Sequence, residues 1–106
     1  MANETFITEL GRGSFGMVAA VQLVDGTKIA RKIFQTAQAR DEELRSFQML
    51  RNQQHPCIIT PIKFGTWNWT GARNPVPYID YPLMKNRYAL IIFFYDNYFS
   101  FYYISF

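Results

Sequence analysis

Three glycines in the run Gly11-Arg12-Gly13-Ser14-Phe15-Gly16, and a lysine farther on at Lys32, are the residues of this 106-residue chain whose types and spacing could do chemistry. Glycine has no Cβ, so the backbone can turn sharply there and bring its N–H groups against phosphate oxygens. A side chain at Gly13 or Gly16 would hold phosphates away, and Lys32 would add a cation. The same G-x-G-x-x-G spelling also marks dinucleotide-binding folds, in which the third glycine opens a helix and an acidic residue follows about 20 positions later. Here the residues after Gly16 predict a strand. Met17 to Val24 is rich in apolar and β-branched residues, Asp25-Gly26 is a hairpin signal, and Lys28 to Phe34 reads as the returning strand. Strand side chains alternate, which turns Arg31 away from the face of Lys32.

Strand, glycine turn, strand, hairpin and strand, with Val18 and then Ala30-Arg31-Lys32 in register, resembles the amino-terminal ATP-binding lobe of a eukaryotic-type protein kinase over about residues 4–86. The resemblance implies an α+β fold, a five-stranded, mostly antiparallel sheet with one helix, truncated before the carboxy-terminal lobe. It further implies that Gly11, Arg12, Gly13, Ser14, Phe15 and Gly16 cover the phosphates of ATP and that Lys32 contacts the α- and β-phosphates. Val18 and Ala30 would then form the ceiling over the adenine ring. Pro75 to Met84 would be the fifth strand running into the hinge, with Tyr81 as gatekeeper. Pro82 would offer its carbonyl and Met84 its N–H to adenine, and a proline at 82 keeps the group required of it.

Asp41-Glu42-Glu43, with Leu44, Phe47 and Leu50 behind them, predicts a helix whose first turn is acidic, as the helix dipole favours. Pro56 ends it and restricts His55 to extended geometry. In the family a glutamate of this helix pairs with the strand lysine. Counted back from His55-Pro56, that position falls on Ser46, a departure. Glu43 and Glu42 lie one turn earlier, and either could reach Lys32 if the helix is shifted; both could equally serve only the helix start. Ile58 to Phe64 suits the fourth strand, and Gly65 to Pro77 a connection in which Trp67 and Trp69 cover the sheet.

After Asn86 the resemblance stops. No His-Arg-Asp, Asp-Phe-Gly or Ala-Pro-Glu sequence occurs, so the base and magnesium ligands of phosphoryl transfer are missing from this chain. Mg2+ is expected with ATP in the family, but no protein ligand for it is identified here. Residues 87–106 form an unrelated tail holding ten of the nineteen aromatic residues, without strand alternation or a helical stripe. Three readings stay open. It is a membrane anchor flanked by Lys85 and Arg87, although Asp96 near its middle would cost about 2.5 to 3.5 kcal/mol; or a strand-forming extra packed on the lobe; or a departure of the reading frame from the kinase-like sequence.

The length allows one small domain and not both lobes of a kinase. A net charge of +3 with scattered Lys and Arg gives no footprint for nucleic acid. The start lacks a secretory pattern, and a single cysteine, Cys57, suits a reducing cytoplasm as a buried small hydrophobe. His55 reads as a turn residue, and Asn68-Trp69-Thr70 as an accidental glycosylation sequence. The expected function is an ATP-binding lobe that is not catalytic by itself. The alternatives are a noncatalytic pseudokinase-like fragment that docks on another protein, a tail-anchored membrane-associated protein, and a dinucleotide binder. A lobe with an exposed hinge beside an aromatic tail has an association-prone surface. Light scattering at micromolar concentration is expected to show oligomers rather than a clean monomer.

Overall fold

The strand propensity of Gly16 to Phe34 is realised as the centre of an antiparallel sheet. The computed structural model describes residues 4–13, 16–51, 61–83, 88–95 and 98–105. In chain order the elements are β1 (Thr5–Gly13), β2 (Gly16–Gln22), β3 (Lys28–Phe34), α1 (Ala37–Arg51), β4 (Lys63–Trp67), β5 (Val76–Pro82), β6 (Tyr88–Tyr95) and β7 (Tyr98–Ser105). The first five strands form one sheet in the order β1-β2-β3-β5-β4, every neighbouring pair antiparallel, and β6 pairs with β7 alone. The fold is α+β, with a five-stranded antiparallel sheet and one helix.

Two local devices set the register of β2 against β3. Asp25-Gly26 closes the hairpin: the Gly26 N–H donates to Leu23 O at 2.9 Å and Gly26 takes φ +91°, while Asp25 Oδ1 accepts the Thr27 N–H at 2.9 Å. These are the turn roles expected of Asp and Gly. At the other end Gly16 has φ +135°, and a Cβ there would overlap the carbonyl oxygen of Ile33 on β3. The third glycine is therefore required by strand packing inside the protein.

The helix begins earlier than the acidic run predicts. It starts at Ala37, and its first turn holds no acidic residue. Thr36 supplies the cap, its Oγ1 accepting the Ala39 N–H at 3.1 Å. A hydroxyl thus satisfies one of the free N–H donors of the first turn, and Asp41, Glu42 and Glu43, expected there for the helix dipole, fall in the following turn. The fourth strand is also displaced. It runs from Lys63 to Trp67 rather than from Ile58, because Trp67 pairs with Val76 and Gly65 with Tyr78. Ile62, just before it, donates its N–H to Asp80 O at 2.7 Å. His55, Cys57 and residues 58–60 lie outside the described residues.

Every residue of β3 from Ile29 to Phe34 is buried, so the sheet is covered on both faces. On the helix side Val18, Ala30, Phe34, Ile79 and Tyr81 form one cluster, joined by Leu44 of α1. On the opposite side Met17, Ala19, Val21, Ile29 and Ile33 are covered by Trp67, Trp69 and Phe6. The indole of Trp69 stacks on Trp67 and on Phe6, with 5.4 Å between centroids in each case. The tryptophans cover the sheet as expected, as aromatic payload on an apolar layer.

The tail forms a hairpin in which Tyr88 pairs with Ser105 and Tyr95 with Tyr98. Among the described residues no helix is long and apolar enough to cross a membrane.

Two glycine substitutions separate strain from overlap. Gly26→Ala meets no atom within 4 Å and should cost about 1 kcal/mol through its positive φ alone. Gly16→Ala meets both a positive φ and the Ile33 carbonyl, and should cost about 3 kcal/mol or prevent folding. Urea unfolding of the two variants checks the order.

Candidate functional site

Lys32 sits in the middle of the central strand, opposite Val18 on β2 and Ile79 on β5. Its side chain is fully buried, and a buried ammonium needs a counter-charge. Glu43 provides it from α1 through an ion pair between Oε1 and the Lys32 Nζ. The second carboxylate oxygen, Oε2, accepts a hydrogen bond from the Tyr81 hydroxyl on β5. Sheet and helix are thus joined by one carboxylate with a different donor on each oxygen.

Of the two glutamates considered as partners, the structure brings Glu43 to Lys32 and leaves Glu42 exposed, where it accepts from Gln38 Nε2 at 3.3 Å. Ser46, which the His55-Pro56 count puts at the glutamate position, is buried and donates its hydroxyl to Glu42 O at 2.9 Å. The pairing residue lies three positions earlier because α1 is set by its Thr36 cap.

Burial depresses the Lys32 pKa to about 8, and the charge of Glu43 offsets only part of that. Burial pushes the Tyr81 phenol well above its ordinary value, and the neighbouring Glu43 charge acts in the same direction.

The glycine hairpin lies beside this group. Gly11 pairs with Val18, Arg12 with Met17 and Gly13 with Gly16; Ser14 and Phe15 lie outside the described residues. Arg12 is exposed and turned back along β1, its Nε donating to Glu9 Oε1 at 2.9 Å. Val18 and Ala30 share their cluster with Tyr81, and Leu10 and Leu83 pack against it. Leu10, which the motif does not single out, joins the cluster beside Val18 and Ala30. Its signal was its place directly before the first glycine, on a strand whose inward positions include it. Pro82 is half-buried and pairs with Ile29; Met84 lies outside the described residues.

The other face of β3 carries a second buried cation. Arg31 donates from Nε and Nη2 to the two oxygens of Asp80 at 2.7 and 2.9 Å, and from Nη1 and Nη2 to Glu4 at 2.9 and 3.0 Å. Its guanidinium lies 4.0 Å from the Tyr78 ring centroid and 4.7 Å from that of Trp67. Burial opposes its charge, but the hydrogen bonds to Asp80 and Glu4 outweigh burial and raise its pKa. The Arg31 hydrogen bonds in turn hold the Glu4 carboxyl below its usual range. Lys63 Nζ joins the same group, 3.4 Å from Glu4 Oε2 and 3.8 Å from Asp80 Oδ2. Among the described residues no group of His, Cys, Asp and Glu is placed to hold a metal ion.

Lys32 and Tyr81 give stability a worked pH dependence. Between about pH 8 and 10.5 the unfolded chain keeps the lysine proton and the folded chain has lost it, so the Lys32 contribution to stability rises with pH. Above about pH 10 the unfolded tyrosine ionises while the folded one stays protonated, and stability falls. Glu43→Ala removes the carboxylate that faces the buried ammonium and should cost about 3 kcal/mol at pH 7, with a smaller loss at pH 9.5. Denaturant melts at the two pH values check it. No protein-family model matches this chain, and no curated protein matches it either.

Proposed function

We propose that the chain is a nucleotide-binding lobe that takes ATP at the glycine hairpin, in the manner of the protein-kinase amino lobe it resembles. The observation that carries this reading is the Lys32–Glu43 pair joining the central strand to the helix, beside a hairpin whose third glycine takes a positive φ. The dinucleotide alternative needs a helix at the third glycine, and Gly16 instead opens β2.

The residues fit the ligand's chemistry in two respects. Lys32 is a cation fixed in direction by Glu43, suited to α- and β-phosphate oxygens. Leu10, Val18, Ala30 and Leu83 gather apolar surface near it, suited to an adenine ring. ATP would supply a transferable phosphoryl group. The chain's own residues would bind and orient it; with no His-Arg-Asp or Asp-Phe-Gly sequence among its 106 residues, the function proposed is binding and not transfer. Because Lys32 is fully buried, binding requires side chains that cover it to move, which lowers affinity.

Mg-ATP at about 100 times its dissociation constant should stabilise the fold by about 2.7 kcal/mol. Lys32→Ala, compared with its own ligand-free baseline, should abolish that increment. Affinity should also fall as pH rises through about 8, where the free protein's Lys32 loses its charge, and binding near pH 8.5 should take up protons. Calorimetry in two buffers of different ionisation enthalpy reads both. A wild-type melting temperature indifferent to Mg-ATP overturns the reading in favour of a noncatalytic interaction fragment.

A further inference from the structure

The Tyr81 hydroxyl adds a residue to the site that phosphate recognition by glycines and lysine does not call for. Glu43 has two oxygens and two donors, Lys32 Nζ on Oε1 and Tyr81 on Oε2. Tyr81 is itself buried, packed with Val18, Ala30, Phe34 and Ile79, so its ring has little freedom and its hydroxyl stands on a rigid strand. A carboxylate held by one flexible lysine can swing about that contact; one held also by a fixed phenol cannot. We propose that Tyr81 is a positioning residue for the phosphate site, holding Glu43 against Lys32 so that the ammonium is oriented before a ligand arrives. This rests on the ATP reading for its purpose, but the positioning itself is a property of the ligand-free protein.

The geometry separates this role from docking of the helix. The start of α1 has anchors of its own: the Thr36 cap, and Arg40 Nη1 donating to Gly65 O at 2.7 Å on β4. Removing the phenol oxygen therefore acts at Glu43 and leaves the helix in place. The described titratable groups around Lys32 are Glu43 from α1 and, across that carboxylate, Tyr81 from β5; β2 opposes it with the apolar Val18, and Phe34 of its own strand places a ring 4.9 Å from Nζ. With Glu43 unpinned, burial continues to act against the ammonium while its counter-charge recedes. The Lys32 titration midpoint then falls below about 8.

The test uses the full chain with ¹⁵N-labelled lysine, following the Lys32 amine by NMR from pH 6 to 11, in wild type, Tyr81→Phe, Glu43→Gln and a variant carrying 3-fluorotyrosine at position 81. Tyr81→Phe is expected to lower the midpoint by about half a unit or more, Glu43→Gln by more, and fluorotyrosine, a stronger donor of nearly the same shape, to hold it at or above the wild-type value. Mg-ATP should bind Tyr81→Phe roughly tenfold more weakly. An unchanged Lys32 midpoint in Tyr81→Phe overturns the proposal whatever happens to the melting temperature, since a merely structural tyrosine would move only the latter. Should Tyr81→Phe fail to fold, a fluorotyrosine midpoint below wild type overturns it. If wild-type protein binds no Mg-ATP, the ATP reading is lost while the Lys32 midpoints still decide the role of Tyr81.

Discussion

Two adjacent cations, Arg31 and Lys32, are fully buried at the centre of the sheet and face opposite sides of one strand. Neither could be there alone, because removing a charge from water costs more than any apolar packing around it returns. Each must meet its counter-charge from another part of the chain. Asp80 comes from β5 and Glu4 from the segment before β1 on one side, and Glu43 from the helix on the other. The sheet order and the helix position together satisfy both requirements at once. A strand order that separated β5 from β3, or a helix on the other face, would leave one cation without its carboxylate.

The two pairs are built differently. Arg31 has bidentate contacts to two carboxylates and two aromatic rings, so its hydrogen-bonding capacity is largely used within the protein. Lys32 meets Glu43, whose other oxygen accepts from a phenol, and burial moves its pKa down rather than up. The glycines contribute as backbone devices. Gly16 in particular is held by the fold itself, since its missing Cβ admits the carbonyl of Ile33.

Much of this was legible from residue order. Apolar and β-branched enrichment, the Asp25-Gly26 turn and the glycine spacing locate β1, β2 and β3, because each is a local signal. The alternation of β3 puts Arg31 and Lys32 on opposite faces, as observed. What escaped was set at longer range. The start of α1 depends on a Thr36 hydroxyl that a cluster of three acidic residues overshadowed. The partner of Lys32 depends on the rotational setting of the helix, which moves the pairing residue from position 46 to 43. The limits of β4 follow from where β5 pairs, information held in residues 76 to 80 and absent from the strand's own sequence. The tail showed no period because apolar residues follow one another along its sequence, a pattern in which strand and helix cannot be told apart by alternation.

The burial of β3 on both faces also orders the chain in time. Amide protons exchange with solvent when the backbone around them opens, and openings are cheapest where few apolar contacts must be broken. β4 lies at one margin of the sheet with Lys63, Phe64 and Thr66 exposed, and β1 lies at the other margin with Ile7 and Thr8 exposed. Those margins can part from their neighbours while the centre stays closed. β3, hydrogen-bonded on both sides and covered above and below, gives up its amides only when the whole sheet comes apart. The strand that carries both buried charges is thus also the slowest clock in the molecule.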